Sequence, residues 1–173
     1  MFTRDGEETT TWVEPIHGRA GLVRALGKLD PWNFWTVPLG GPEPGDFAVV
    51  GATGTFLLFT CDLGGFLEST GRTMTVGGTK VGGFRGMRAA ARELSNRLAD
   101  STVVVDVEPV LVLTMATAGS PRTVKGVRIL QLSQIAHDLT NRSRTMPVSR
   151  AQRAARTLGV QLAGDHKRHF APR

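Results

Sequence analysis

The chain holds a single cysteine, Cys61, so no intramolecular disulfide forms and no all-cysteine zinc site can be built from one copy. Long apolar runs are missing as well. The longest, around residues 56–59 and 110–113, fall far short of the roughly 20 residues that span a bilayer, which excludes a membrane-spanning helix and predicts no membrane insertion. Residues 1–11 are polar and acidic and lack the basic start and apolar centre of a secretory leader, so the expected location is the cytoplasm. Lysine is scarce beside arginine, a ratio that base composition alone can produce and that carries no functional weight.

What is present is ordinary globular material. The 173 residues are 40% apolar and 21% charged, which excludes disordered, collagen-like and coiled-coil chains. That length suffices for one domain with a real core and is short for two. The net charge of +6 is unevenly placed. Residues 142–173 carry eight basic groups against one acid, Asp165, whereas the preceding 141 residues are nearly neutral. A basic C-terminal end attracts phosphate backbones or anionic partners, and Arg142, Arg144, Arg150, Arg153, Arg156, Lys167 and Arg168 are the candidate nucleic-acid-binding residues. The plainer reading is a solvated helix face and a loose tail.

Hydrophobic spacing predicts the elements. Leu22, Val23, Leu26 and Leu29 recur at helical intervals over residues 20–29. Residues 32–37 are aromatic and β-branched and read as a strand. Residues 46–50 and 55–60 form two almost continuously apolar strands joined by Gly51-Ala52-Thr53-Gly54, a hairpin buried on both faces that requires helices above and below. Weak strands at 66–68 and 73–76 suggest an exposed meander. Met87, Ala91, Leu94 and Leu98 mark a helix over 84–99, with Arg85, Arg88, Arg92 and Arg97 mostly off its apolar stripe. A buried strand at 108–114, a short one at 127–130 and a helix at 132–139 follow. Ser149 and Gln152 have the spacing of a capping box and predict the start of a last helix there. The expected organisation is a polar lead-in over 1–15, one α/β domain over 16–160 and a basic tail over 161–173.

The hairpin carries a resemblance. Asp46 opening a buried strand, the Gly51-to-Gly54 turn, and a second strand through Phe59, Thr60 and Cys61 to Gly64-Gly65 resemble the core of the nuclease-related domain (NERD) family. Flanking segments from Gly18-Arg19-Ala20-Gly21 to Gly126-Val127-Arg128-Ile129-Leu130 occur in the family order, over about residues 17–160. That family is similar to the PD-(D/E)xK nucleases. The resemblance implies a mixed central β-sheet flanked by helices, restriction-endonuclease-like, and an Mg²⁺-dependent phosphodiesterase chemistry. Such a site needs carboxylates for the metal and a cation beside the attacking water, and Glu-x-Lys on one strand puts the two on one face.

Here the chemistry is largely missing. The family's histidine falls on Phe47, its glutamate on Phe59, its lysine on Cys61 and its first-helix glutamate on Leu22. Asp46 is a remnant, with a structural role at the hairpin mouth as the competing reading. Asp62 is the second candidate, able to serve in a relocated site with Asp46 and Lys80. Glu14 with His17, and Glu68, are weaker candidates. Cys61 reads as a small buried apolar residue, and His166 and His169 lack metal-ligand spacing. The leading expectation is a catalytically degenerate domain with no cofactor that binds nucleic acid or a protein partner. The alternatives are a nuclease that uses Mg²⁺ through relocated ligands, and a structural subunit or homo-oligomer. Trp32, Phe34, Trp35 and Phe66 are where a protein interface would be sought, with core aromatics as the plainer reading.

Overall fold

The computed structural model describes residues 18–40, 44–70, 72–99 and 105–169, and of 161–169 the backbone only. The expected lead-in over 1–15, with Glu14 and His17, lies outside the described residues. The helical spacing near the start becomes α1 (Gly18–Leu26), which buries Leu22, Ala25 and Leu26, with Leu29 buried in the turn behind it. Three antiparallel strands follow, β1 (Phe34–Pro38), β2 (Phe47–Gly51) and β3 (Gly54–Ser69). At the far end of β3 hang two short strands, β4 (Met74–Val76) and β5 (Thr79–Lys80).

Helix α2 (Phe84–Leu98) then carries the chain over to β6 (Val107–Thr117), which lies parallel to β3. The hairpin β7 (Arg122–Val124) and β8 (Val127–Gln131) places β8 parallel to β6. A single 3-10 turn, Leu132–Gln134, leads into α3 (Ile135–Thr140), and α4 (Val148–His169) ends the described chain. The main sheet runs β1-β2-β3-β6-β8-β7. The protein is therefore a mixed α/β fold with a mixed central sheet between helices.

Both faces of the hairpin are covered, as its unbroken apolar sequence requires. Because strand side chains alternate, Val49, Phe56, Leu58, Val110 and Val112 pack with Leu22 and Leu26 of α1 and Ile135 and Leu139 of α3. Ala48 and Leu57 turn the other way, toward Leu94 and Leu98 of α2 and Leu158 of α4. Each fully buried leucine contributes about 1.5–3 kcal/mol relative to exposure.

Three elements differ from expectation. The strand expected at 66–68 is the continuation of β3. Its register with β6 slips between Cys61 and Gly64, so that Asp62 and Leu63 oppose Thr114 alone, a bulge that bends the strand without ending it. Gly65 makes the bend feasible: it sits at φ 110°, and a Cβ there would lie 2.7 Å from the Gly77 Cα. Strand β7 escaped notice because its three residues have too little apolar content for a periodic signal. The last helix begins at Val148, not at Ser149, because the Pro147 carbonyl accepts the Ala151 N–H at 3.1 Å and so takes the cap position. Ser149 then lies in the first turn and no capping box forms there. Helical backbone also continues through 161–169, where a tail was expected. Among the described residues no helix is long and apolar enough to cross a membrane.

Candidate nucleic-acid interface

Asp46 and Asp62, the residues expected to carry chemistry, both make hydrogen bonds within the fold. Asp46 sits at the mouth of the β2–β3 hairpin, where one carboxylate oxygen accepts from the Thr60 N–H at 2.8 Å and from the Thr60 hydroxyl at 2.9 Å. The other oxygen accepts from Arg19 at 3.3 Å. Arg19 in turn donates to the Leu39 carbonyl and stacks 4.7 Å over the Phe47 ring. One Asp46 oxygen thus closes the hairpin mouth and the other ties α1 to it. Asp62 is exposed and accepts from the Thr114 hydroxyl at 2.5 Å. Its carboxylate lies against Gly18, 3.3 Å from where a Cβ would be, at the N-terminus of α1.

Phe59 and Cys61 point to the opposite side of β3. Both are half-buried and pack against the cluster that holds Phe84, Leu111 and Leu113. An apolar ring and a thiol in that packing offer no oxygen ligand and no cation to a hard metal ion. Lys80 is exposed on β5, and Glu68 is exposed on the outer part of β3. Among the described residues no group of three or more His, Cys, Asp or Glu side chains is arranged to hold a metal. The residues present do not fit an Mg²⁺ centre of the expected kind.

The basic C-terminal candidates divide. Arg142 donates to Glu108 through both terminal nitrogens and to Asp138 at 2.8 Å through one of them, while its guanidinium lies 4.9 Å from the centre of the Phe56 ring. Arg128 joins the same Asp138 carboxylate. Burial on its own would raise the Asp138 pKa, but hydrogen bonds from Arg128 and Arg142, with their charges, outweigh it and hold the carboxyl below its ordinary value. Burial would likewise lower the Arg142 pKa, and the bonds from Glu108 and Asp138 raise it instead. Arg142 is therefore committed to the fold.

Arg144, Arg153 and Arg156 are exposed, and Arg150 is half-buried. Arg150 and Arg153 line a groove of about 160 Å³ between the end of α2, at Leu98, and the first half of α4. Lys167 and Arg168 are on the helical backbone of α4, with side chains outside the description, as are those of His166 and His169.

Sequence reasoning passed over a second basic element on the same side of the sheet. Arg85, Arg88 and Arg92 are exposed on α2, spaced three and four residues apart, so they share one outer face. Lys125, exposed in the β7–β8 turn, lies beside the start of this row, its ammonium 6.0 Å from the centre of the Phe84 ring. Arg88 passes over the same turn, its Cδ 3.1 Å from where Gly126 would carry a Cβ. The sequence signal was the helical period of the arginines themselves. It was overshadowed because the C-terminal charge run is denser and has almost no acids.

The aromatic candidates also divide. Trp32 is 81% exposed and Phe66 74%, while Phe34 belongs to the core and Trp35 packs against Val50 and Ala151.

Set beside family models, curated proteins and solved structures, the chain matches none significantly.

Proposed function

We propose that this chain is a nuclease-related, NERD-like domain that has lost its phosphodiesterase chemistry and binds nucleic acid through the arginine face formed by α2 and α4. The observation that carries the reading is the charge on that side of the sheet. Helix α2 and residues 148–160 of α4 hold seven arginines against one acid, Glu93. Arg85, Arg88, Arg92, Arg153 and Arg156 are exposed among them. A one-signed surface of this kind attracts phosphates and releases their counterions.

The order of elements supports the restriction-endonuclease-like part of the reading. A helix, a three-stranded antiparallel run, a crossover helix and a parallel fourth strand follow one another as the resemblance implies. The loss of chemistry rests on Phe59 and Cys61 being packed into apolar surroundings and on Asp46 being bonded to Arg19 and Thr60.

Labelled single- and double-stranded DNA incubated with Mg²⁺ or Mn²⁺ tests both halves at once, beside an Asp46→Ala variant. Salt-sensitive binding without cleavage is expected. Cleavage that disappears in the variant would overturn the reading in favour of a nuclease with relocated ligands. Neither binding nor cleavage, with particle size rising with protein concentration in light scattering, would favour a protein partner or self-association.

A further inference from the structure

A second basic site lies on the other face of the sheet. A cleft of about 410 Å³ opens between α1 and the carboxyl ends of β6 and β8. The volume is in the range of small-molecule pockets. Arg24 and Lys28 reach it from one side, four residues apart across the end of α1. Both are exposed, and neither has an ion-pair partner among the described residues. Like charges at that spacing repel, an arrangement that an anion between them would relieve.

The remaining polar groups are donors or can act as such. Gln131 uses its side-chain oxygen to accept the Ala118 N–H at 3.3 Å and a backbone N–H of the 3-10 turn, which leaves its amide NH₂ to donate. Thr117 and Ser133 add exposed hydroxyls. The Thr114 hydroxyl is already given to Asp62. Among the described residues no carboxylate lines the cleft. The apolar residues that line it are Met115, which is 49% exposed, Leu132 and the small Gly21, Ala25 and Ala116.

We propose that this cleft binds a phosphate monoester of mononucleotide size, with the phosphate between Arg24 and Lys28 and the organic body on Met115. The site is independent of the α2–α4 face. The helix dipole also favours cations at the end of α1, but it does not account for the convergence of Gln131, Thr117 and Ser133 on the same space.

The test is thermal-shift and calorimetric titration of the full chain with adenosine monophosphate, inorganic phosphate and adenosine. Three proteins are compared: the wild type, Arg24→Gln/Lys28→Gln, and Arg85→Gln/Arg88→Gln/Arg92→Gln. The monophosphate should bind the wild type and the α2 variant equally, and the Arg24/Lys28 variant about tenfold or more weakly, since two charge-assisted bonds are removed. Without ligand, the Arg24/Lys28 variant should stay folded and melt close to the wild type, since the loss of mutual repulsion offsets the loss of the dipole interaction. Inorganic phosphate should compete, and adenosine alone should bind far more weakly than its monophosphate. Equal affinity in the Arg24/Lys28 variant, equal binding of adenosine, or no binding by the wild type would each overturn the proposal. Loss only in the α2 variant would overturn it too, by placing the ligand on the opposite face.

Discussion

Asp138 holds two guanidiniums together with a carboxylate side chain that is 9% exposed, while those of Arg128 and Arg142 are 27% and 23% exposed. Removing its charge leaves two arginines facing each other with only Glu108 to compensate. Asp138→Asn should therefore lower stability by about 2–3 kcal/mol, below the usual range for a broken buried pair because the arginines stay partly hydrated. Urea unfolding at neutral pH measures it. The same carboxylate sets an acid limit. Its pKa is depressed in the folded state, so the stability it supplies is complete above the ordinary aspartate range and is lost as pH falls through the folded value. The wild type should lose stability with acid more steeply than Asp138→Asn, a comparison made by melting both proteins across pH 2 to 6. At Asp46 the bonds from Arg19 and Thr60 make a smaller contribution. Asp46→Ala should cost about 1–2 kcal/mol in the same assay, from charged hydrogen bonds at a partly exposed site. At this scale, the sequence pointed correctly to Asp46 as a hairpin-mouth residue. It could not show that Arg19, 27 residues away, supplies the partner.

Helix α2 separates charge from packing. Phe84, Ala91, Leu94 and Leu98 are buried, and Arg85, Arg88 and Arg92 face outward. Replacing the three arginines by glutamine, a residue of similar helix propensity, should change stability by no more than about 0.5 kcal/mol. If α2 forms part of the proposed nucleic-acid interface, the log–log salt dependence of duplex binding should flatten by about 0.9 for each phosphate that the variant no longer neutralises. Fluorescence anisotropy between low and physiological salt reads it directly, and an unchanged slope would remove α2 from the interface. Truncation after Leu158 separates the contribution of the end of α4. Strand β3 shows how an element outruns its local signals. Its 16 residues read as two strands because Gly64-Gly65 interrupts the apolar run, yet pairing with β6 on one side and β4 on the other carries it through. Gly65→Val should be destabilising by about 2 kcal/mol or more, since φ 110° and the approach to Gly77 both exclude a side chain. Near-UV circular dichroism and urea midpoints check it.

Among the described residues the sheet carries apolar packing on both faces, and the layers under α1 and under α2 both draw on β2, β3 and β6. Leu22→Ala under α1 and Leu94→Ala under α2 should each cost about 3 kcal/mol. Both should leave a single cooperative transition with an unchanged denaturant slope, because neither layer can come apart while the shared strands hold. The sequence by itself determined the fold class and most of the elements. The unbroken apolar hairpin demands cover on both faces, the 3.6-residue spacing of leucines and alanines makes helices, and Phe59 and Cys61 offer neither an oxygen ligand nor a cation whatever their surroundings. Only the tertiary structure decided where the charges act. Ion pairing is a matter of proximity between residues far apart in the chain, so Arg142 of the basic run was claimed by Glu108 and Asp138. The arginines of α2, which the sequence showed only as lying mostly off an apolar stripe, came to share one side of the sheet with those of α4. Arg24 and Lys28 were set over the ends of two strands that lie some ninety or more residues further along.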